Sequence, residues 1–366
     1  FSDGATPLYG NLHTAPLDVM DTLGAFVKQY HELGTRLLPY LYLHGVSAGA
    51  TGCDRYYPVW QTSSPRQIGG GDRVIMGACP GSSFGDYLLY GIGQWVDKYG
   101  VDGVYFDGAG PPVECANPLH DHGWVDADGA RHIEYPIFGL RSFYRRLWTM
   151  LADRMAQPVI WTHADGKMPT PCFAFTTANW VGEMVQGPLR AGDAFLSDLL
   201  PLDWWRAYML ATQWGPVPMW LVTTSRTDLE MQPRQERDTL ALLLVHGIPF
   251  ARRGQINSDL LDKVWSAQAQ FDIGAADFHG YWQNADLVQL TPPDDRIVAS
   301  LYQRDGHVML IISNLTEHDA QVNVALAEGV RPAGAMTDCI SAENVPVTAG
   351  ALSLTVQAKS FRMLTG

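Results

Sequence analysis

The chain has 366 residues, 46% of them hydrophobic and 17% charged, with 36 Gly and 23 Pro. This composition is that of a globular protein and excludes a disordered, collagen-like or coiled-coil chain. Lys and Arg number 25 against 38 Asp and Glu, a formal charge of −13 that repels phosphate backbones and anionic headgroups and makes nucleic acid a poor partner. No apolar run approaches the ~18 residues a membrane helix needs, and no basic-then-apolar leader opens the chain. It starts at Phe1 rather than Met, as a processed or truncated protein would. Five cysteines (Cys53, Cys79, Cys115, Cys172, Cys339) without a CxxC spacing indicate neither a zinc ribbon nor a dense disulfide framework, and leave one disulfide and the compartment open. The 12 Trp and 15 Tyr serve either as core or as platforms for sugar rings. A length beyond what one core supports predicts a large and a smaller domain.

In chain order, the apolar spacing of residues 17–33 predicts a helix stopped by Gly34, followed by a buried strand RLLPYLYLH at 36–44. A long loop rich in Gly, Pro and Ser covers about 45–82. A helix at 84–99 and the strand VDGVYFDG at 101–108 come next, then a second long loop at 109–134, with Asp126-Ala127-Asp128-Gly129 as a hairpin turn. The cycle continues with a helix at 137–155, strand PVIWTHADG at 158–166, strand FAFTTANWVGE at 173–183 and a helix near 202–213. Strand VPMWLVTT at 217–224, a helix at 234–245, strand IPFARR at 248–253 and a helix at 258–271 complete it.

Strict alternation of strand and helix predicts an α/β fold of parallel units. No GxGxxG or GxxxxGK[ST] follows a strand, which favours a closed (β/α)8-type TIM barrel over an open nucleotide-binding sheet. Six strands are visible from residue 36 onward, and TPLYGNLH at 6–13 supplies a seventh candidate. A barrel lacking its first strand or strands in this chain accounts for the count. From about 284 the pattern changes to apolar–polar alternation across a hairpin at Arg304-Asp305-Gly306 and again in the terminal ALSLTVQAKSFRMLTG, so residues 284–366 are expected to form a small antiparallel β-sandwich after a barrel at 1–283.

In a parallel barrel the chemistry sits at the carboxyl ends of the strands. Three carboxylates end strands here: Asp107, Asp165 and Glu183. Glycosidic hydrolysis needs two carboxyl groups flanking the bond, one protonating the leaving oxygen and the other attacking the anomeric carbon or activating water. Asp107 and Glu183, on strands separated by one intervening strand, fit that need as nucleophile or base and as general acid. The intervening strand supplies His163 and Asp165 for sugar hydroxyls or for tuning the acid. Arg141, Asn117, His120 and Trp180 are further substrate-binding candidates. Cys115, His120, Asp121 and His122 invite a metal reading, but the spacing matches no established zinc pattern, and the expectation is a substrate-lining loop with no metal and no cofactor. Arg252 and Arg253 at a strand end read as surface residues or as contacts to a hydroxyl-rich ligand. No GxSxG elbow is present, which disfavours acyl transfer by a serine triad.

YGVDGVYFDGAG, CANPLHDHGW, HIEYPIFGLRSFYRRLW, VIWTHADG and WVGE, in that order, resemble the catalytic barrel of bacterial proteins related to glycoside hydrolase family 123. RIVASLYQRDGHVMLIISNLTE with SFRML resembles the β-sandwich that follows the barrel in many retaining glycosidases. The resemblance implies an extracytoplasmic (periplasmic or secreted) enzyme acting on polysaccharide or glycan. The family is similar to hexosaminidases that use an adjacent Asp-Glu pair, and no such pair ends a strand here. The placement of Asp107 and Glu183 on strands four and six instead resembles the α-galactosidase clan. A catalytically inert glycan-binding protein, and a metal-dependent hydrolase using the Cys115/His120/His122 loop, are the alternatives. The oligomeric state is not legible.

Overall fold

The computed structural model describes residues 17–48, 52–63, 67–68, 75–110, 112–165, 170–210, 215–252 and 259–366. TPLYGNLH at 6–13 and Arg253 lie outside the described residues. The chain divides into two compact units, one of Phe1–Val181 with Trp214–Val217 and one of Gly182–Gln213 with Pro218–Gly366.

The first unit follows α1 (Leu17–Glu32), β1 (Tyr40–Tyr42), β2 (Gly45–Ser47), α2 (Cys53–Trp60), β3 (Gln67–Ile68), β4 (Ile75–Gly77), α3 (Ser83–Tyr99), β5 (Gly103–Asp107), β6 (Trp124–Val125), β7 (Arg131–His132), α4 (Ile137–Ala152), β8 (Val159–His163), α5 (Thr170–Phe173) and β9 (Ala178–Val181). Helix α3 shows why these boundaries fall where they do. The Ser82 side chain accepts from the Phe84 N–H at its start, Asp86 and Lys98 complement the helix dipole, and Gly100 ends it in the left-handed region at φ 70°.

Strands β1, β5, β8 and β9 are hydrogen-bonded in that order, all parallel. Alternation along each strand sorts their side chains to two faces. Leu41, Val104, Phe106 and Ile160 are fully buried in one core with Phe84, Leu88 and Ile92 of α3 and Leu140, Phe143 and Tyr144 of α4. Tyr40, Tyr105, Asp107, Trp161, His163 and Trp180 occupy the opposite face. Gly103 is required where β5 meets β8: its φ is 146°, and a Cβ there would lie 1.9 Å from the Val159 carbonyl oxygen.

The sequence expects an unstructured loop at 45–82, and here the structure corrects it. Helix α2 and a small antiparallel sheet in the order β2-β4-β3 occupy part of that stretch. Strands of two or three residues carry too little periodicity to be read, and Pro58 inside α2 masks the helix. The strand expected at 36–44 contracts to Tyr40–Tyr42, and that expected at 173–183 to Ala178–Val181, its beginning being the end of α5. The hairpin turn at Asp126–Gly129 is present: Asp126 Oδ1 accepts from the Asp128 and Ala130 amides, at 3.0 and 2.8 Å, between β6 and β7.

The second unit contains α6 (Gln186–Ala191), α7 (Leu196–Leu199), α8 (Leu202–Tyr208), most of β10 (Val217–Val222), α9 (Met231–Val245), β11 (Phe250–Arg252) and α10 (Asp259–Phe271). β10 and β11 are parallel. Among the described residues the parallel strands therefore number four in the first unit and two in the second, the six expected from residue 36 onward.

Nine antiparallel strands follow: β12 (Asp277–His279), β13 (Val288–Thr291), β14 (Ile297–Arg304), β15 (His307–Asn314), β16 (Ala320–Leu326), β17 (Met336–Asp338), β18 (Asn344–Val345), β19 (Ala351–Val356) and β20 (Ser360–Thr365). They form two sheets, β12-β14-β15-β20-β17-β18 and β13-β16-β19. The β14–β15 hairpin turns on Asp305 and Gly306, at φ 50° and 80°, the positive pair a type I′ turn needs. Leu301, Leu310, Ile312 and Leu364 meet Val322, Val324, Leu352 and Leu354 in one core. α9 packs on β14, β15 and β20, where Ser300 Oγ donates to the Val245 carbonyl at 2.6 Å and Ser313 Oγ to Ala241 at 2.8 Å. No helix among the described residues is long and apolar enough to cross a membrane.

Candidate active site

Asp107 is the last residue of β5, where the Val-Tyr-Phe run stops and the strand's carboxyl end opens. Its Oδ1 accepts the Gly108 N–H at 2.7 Å, and its Oδ2 accepts the Tyr40 hydroxyl. His163, the last residue of β8 and 8% exposed, places Nδ1 2.9 Å from the Tyr105 hydroxyl and 3.4 Å from Asp107 Oδ1, with Nε2 3.8 Å from Asp165 Oδ2. Burial opposes charge on this imidazole, but the two carboxylates outweigh it and raise its pKa to about 9. Burial likewise raises the Asp107 carboxyl, and the hydrogen bonds from His163 and Tyr40 reverse the sign, leaving it below its ordinary value. At neutral pH the site is therefore an ionised aspartate beside an imidazolium, a charge state suited to a nucleophile or base at Asp107 and unsuited to a proton donor there.

Aromatic rings floor this group. Tyr105 lies 5.3 Å from Tyr40 and 4.8 Å from Trp180, and Trp161 lies 5.0 Å from Trp180, all between ring centroids. The parallel register sets Tyr105 opposite Trp161 and His163 opposite Trp180, so residue parity along three strands aims these rings to one side. Asp107, His163, Asp165 and Trp180 thus come together.

Two other expected members lie elsewhere. Arg141 sits on α4 with its guanidinium carbon 5.0 Å from the Phe175 ring centroid, a cation–π contact next to the helix-side core. Asn117 has its polar atoms engaged in fastening the loop after β5: Nδ2 donates to the carbonyls of Gln61 at 3.0 Å and Pro58 at 3.3 Å, and Oδ1 accepts from Leu119 N. His120 belongs to a separate group with Cys79, Cys115 and His122. There each thiol acts on the other, Cys79 lowering the Cys115 thiol and Cys115 raising that of Cys79. Cys79 joins this group only through folding, which brings it to a loop 36 positions away in the chain.

In the second unit Glu183 opens a 3-10 turn, Glu183–Val185, with Gln186 Nε2 donating to its Oε1 at 3.4 Å. Gly182 before it has φ 130°, a backbone conformation that side chains strain, and a Cβ there would lie 3.2 Å from the Leu221 carbonyl oxygen and the Trp220 ring. Arg252 ends β11.

The His163 shift has a measurable consequence. Its folded pKa exceeds the ordinary 6.5, so the stabilisation is complete below about pH 6.5 and is lost as pH rises through about 9. Urea unfolding of the protein is expected to show stability falling by about 2 kcal/mol over that window, and His163→Gln to flatten the fall. An equal fall in the variant would remove His163 as its source.

The profile of the glycoside hydrolase 123 C-terminal domain matches residues 261–361. A search of curated proteins finds no match to this sequence. Among solved structures, a noncanonic maltogenic α-amylase from Thermotoga neapolitana is similar at 12% identity and a TM-score of 0.62, over 94% of this chain and 81% of that one. A β-L-arabinopyranosidase of glycoside hydrolase family 27 from Geobacillus stearothermophilus is similar at 13% identity and a TM-score of 0.57, over 94% and 76%. An α-amylase from Lactobacillus plantarum is similar at 12% identity and a TM-score of 0.58, over 95% and 82%. These neighbours are α-amylases and a β-L-arabinopyranosidase, and the family match and the fold likeness both lie among glycoside hydrolases, as the sequence resemblance implies.

Proposed function

We propose that this chain, whose residues 261–361 match the glycoside hydrolase 123 C-terminal domain, is a retaining glycosidase acting on a polysaccharide or glycan outside the cytoplasm. In this reading residues 1–283 are the catalytic (β/α) barrel and residues 284–366 the accompanying β-sandwich. The observation that carries it is the Asp107 carboxylate at the end of β5, held by Tyr40, Gly108 and His163 above an aromatic floor. Charged carboxylates at strand ends suit the attack on an anomeric carbon, and tyrosine and tryptophan faces suit a sugar ring.

The steps are those of double displacement. An Asp107 oxygen attacks the anomeric carbon, the bond to the leaving oxygen breaks, and that oxygen takes a proton from a general acid, the role for which the sequence offers Glu183. Water then cleaves the glycosyl–aspartate ester, giving its proton to that same acid. His163 holds Asp107 ionised and offers, with Asp165, hydrogen bonds for sugar hydroxyls. No cofactor takes part. The α-amylase and β-L-arabinopyranosidase neighbours support carbohydrate as the substrate class.

The test is a screen of the purified chain over aryl glycosides and plant, algal and bacterial polysaccharides, with product anomers followed by NMR. Release of sugar with retained configuration is expected. Inverted product would overturn the nucleophile assignment, and saturable glycan binding without release would make the protein a binding module.

A further inference from the structure

We propose that Cys79, Cys115, His120 and His122 form a structural zinc site that pins the long loop after β5 to the start of α3. The four ligand atoms lie within 4.8 Å of one another. Zinc bonds of about 2.3 Å to sulfur and about 2.05 Å to nitrogen, set tetrahedrally, put two nitrogens about 3.3 Å apart, nitrogen and sulfur about 3.6 Å, and two sulfurs about 3.8 Å. The structure has His120 Nδ1 and His122 Nδ1 3.1 Å apart, Cys79 Sγ 3.5 Å from His122 Nδ1, and Cys115 Sγ 4.0 Å from His120 Nδ1. The donors therefore already stand near the corners of a zinc tetrahedron.

The surroundings are those of a ligand set. His120 Nε2 lies 3.3 Å from the Gln61 carbonyl. Donating its N–H there leaves the Nδ1 lone pair for the metal, the usual device for orienting a coordinating imidazole. The Ser82 N–H donates to the Cys79 carbonyl at 3.0 Å, which fixes the turn that carries this thiol. Cys79 and Cys115 are 1% and 0% exposed and His122 is 9% exposed, so the two thiols are shielded from water, with His120, half-buried, on the solvent side. Gly81 is small for a reason: a Cβ there would lie 2.8 Å from His122 Cε1.

Three local anchors keep the ligands in place. Cys115 pairs with Glu134 through both backbone hydrogen bonds, Arg131 donates to the His122 carbonyl at 2.7 Å, and Ser82 Oγ donates to the Cys79 carbonyl at 2.7 Å. Four protein ligands close the coordination sphere, so the ion has no open position for water or substrate and its role is to hold structure. What it holds is the loop that leaves Asp107. The inference stands independently of any glycosidase activity, because its readout is the metal itself.

The purified full-length chain, produced with zinc in the medium, is expected to carry about one zinc per chain by elemental analysis. Exchange with cobalt is expected to give the intense visible bands of a tetrahedral ion and a thiolate-to-cobalt charge-transfer band. Removing the metal with a strong chelator should lower the Tm, and zinc alone should restore it. C79S/C115S is expected to lose at least about nine-tenths of the metal. If that variant does not fold, the cobalt spectrum of the wild-type chain decides the matter. A wild-type chain that takes up neither ion, a cobalt spectrum lacking the thiolate band, or a Cys79–Cys115 disulfide in the freshly purified protein would each overturn the site.

Discussion

Asp107→Asn is expected to lower kcat on any glycoside the protein cleaves by at least about a thousandfold, with the far-UV spectrum and Tm little changed. The amide keeps the shape of the carboxylate: its oxygen can accept from Gly108 N, and its NH2, in place of the second oxygen, can donate to the Tyr40 hydroxyl, so the end of β5 has no reason to unravel. It removes the negative charge that attacks the anomeric carbon, and with it the only one of the two charge partners of His163 that sits on β5. The imidazole pKa, about 9 in the wild type, is therefore expected to fall in the variant while the Asp165 contribution remains. NMR titration of the ring reads that shift separately from turnover. A variant that keeps more than about a tenth of wild-type kcat would assign the nucleophile elsewhere.

Glu183→Gln tests the proton donor by a different signature. A general acid matters in proportion to how poorly the leaving group departs unaided. Alkyl and oligosaccharide substrates, whose leaving oxygens need the proton, are expected to lose about 100-fold to 10,000-fold in kcat/KM. Aryl glycosides with acidic phenols should lose less than about tenfold in the glycosylation step. The limb of the pH–rate profile that reports the acid should vanish in the variant. Equal losses across all leaving groups would instead describe a residue that shapes the turn after Gly182. Because glutamine keeps the shape of Glu183 and an oxygen that can accept from Gln186 Nε2, 3.4 Å away, the substitution is expected to leave the fold intact.

Strand ends in this protein were legible because burial and alternation are written locally. VDGVYFDG and PVIWTHADG announce a buried strand that stops at a polar residue, and the structure ends those strands at Asp107 and His163. The hairpin at Asp305-Gly306 was equally readable, since only a positive-φ pair turns two strands so tightly. The stretch at 45–82 was not readable. Its strands are two or three residues long and owe their existence to the β2-β4-β3 pairing rather than to any local preference.

Side-chain roles divided along the same line. Asp107, His163, Asp165 and Trp180 were found from the ends and parity of consecutive strands, and strand pairing brings them together. Arg141, a substrate-binding candidate by sequence, is carried by helical geometry on α4 to Phe175. His120 was seen as a member of a loop and Asn117 as a sugar contact, whereas Asn117 spends its amide on the carbonyls of Gln61 and Pro58.

The sequence by itself determined the alternating α/β order, the switch to antiparallel strands, and the carboxylates that end them, because each follows from the spacing of apolar residues over a few positions. Tertiary structure alone decided the charge state of Asp107 and His163 and the meeting of Cys79 with Cys115, His120 and His122. Both depend on distances of 3 to 4 Å between residues far apart in the chain, and at that range partners and burial, rather than residue identity, determine where a proton resides.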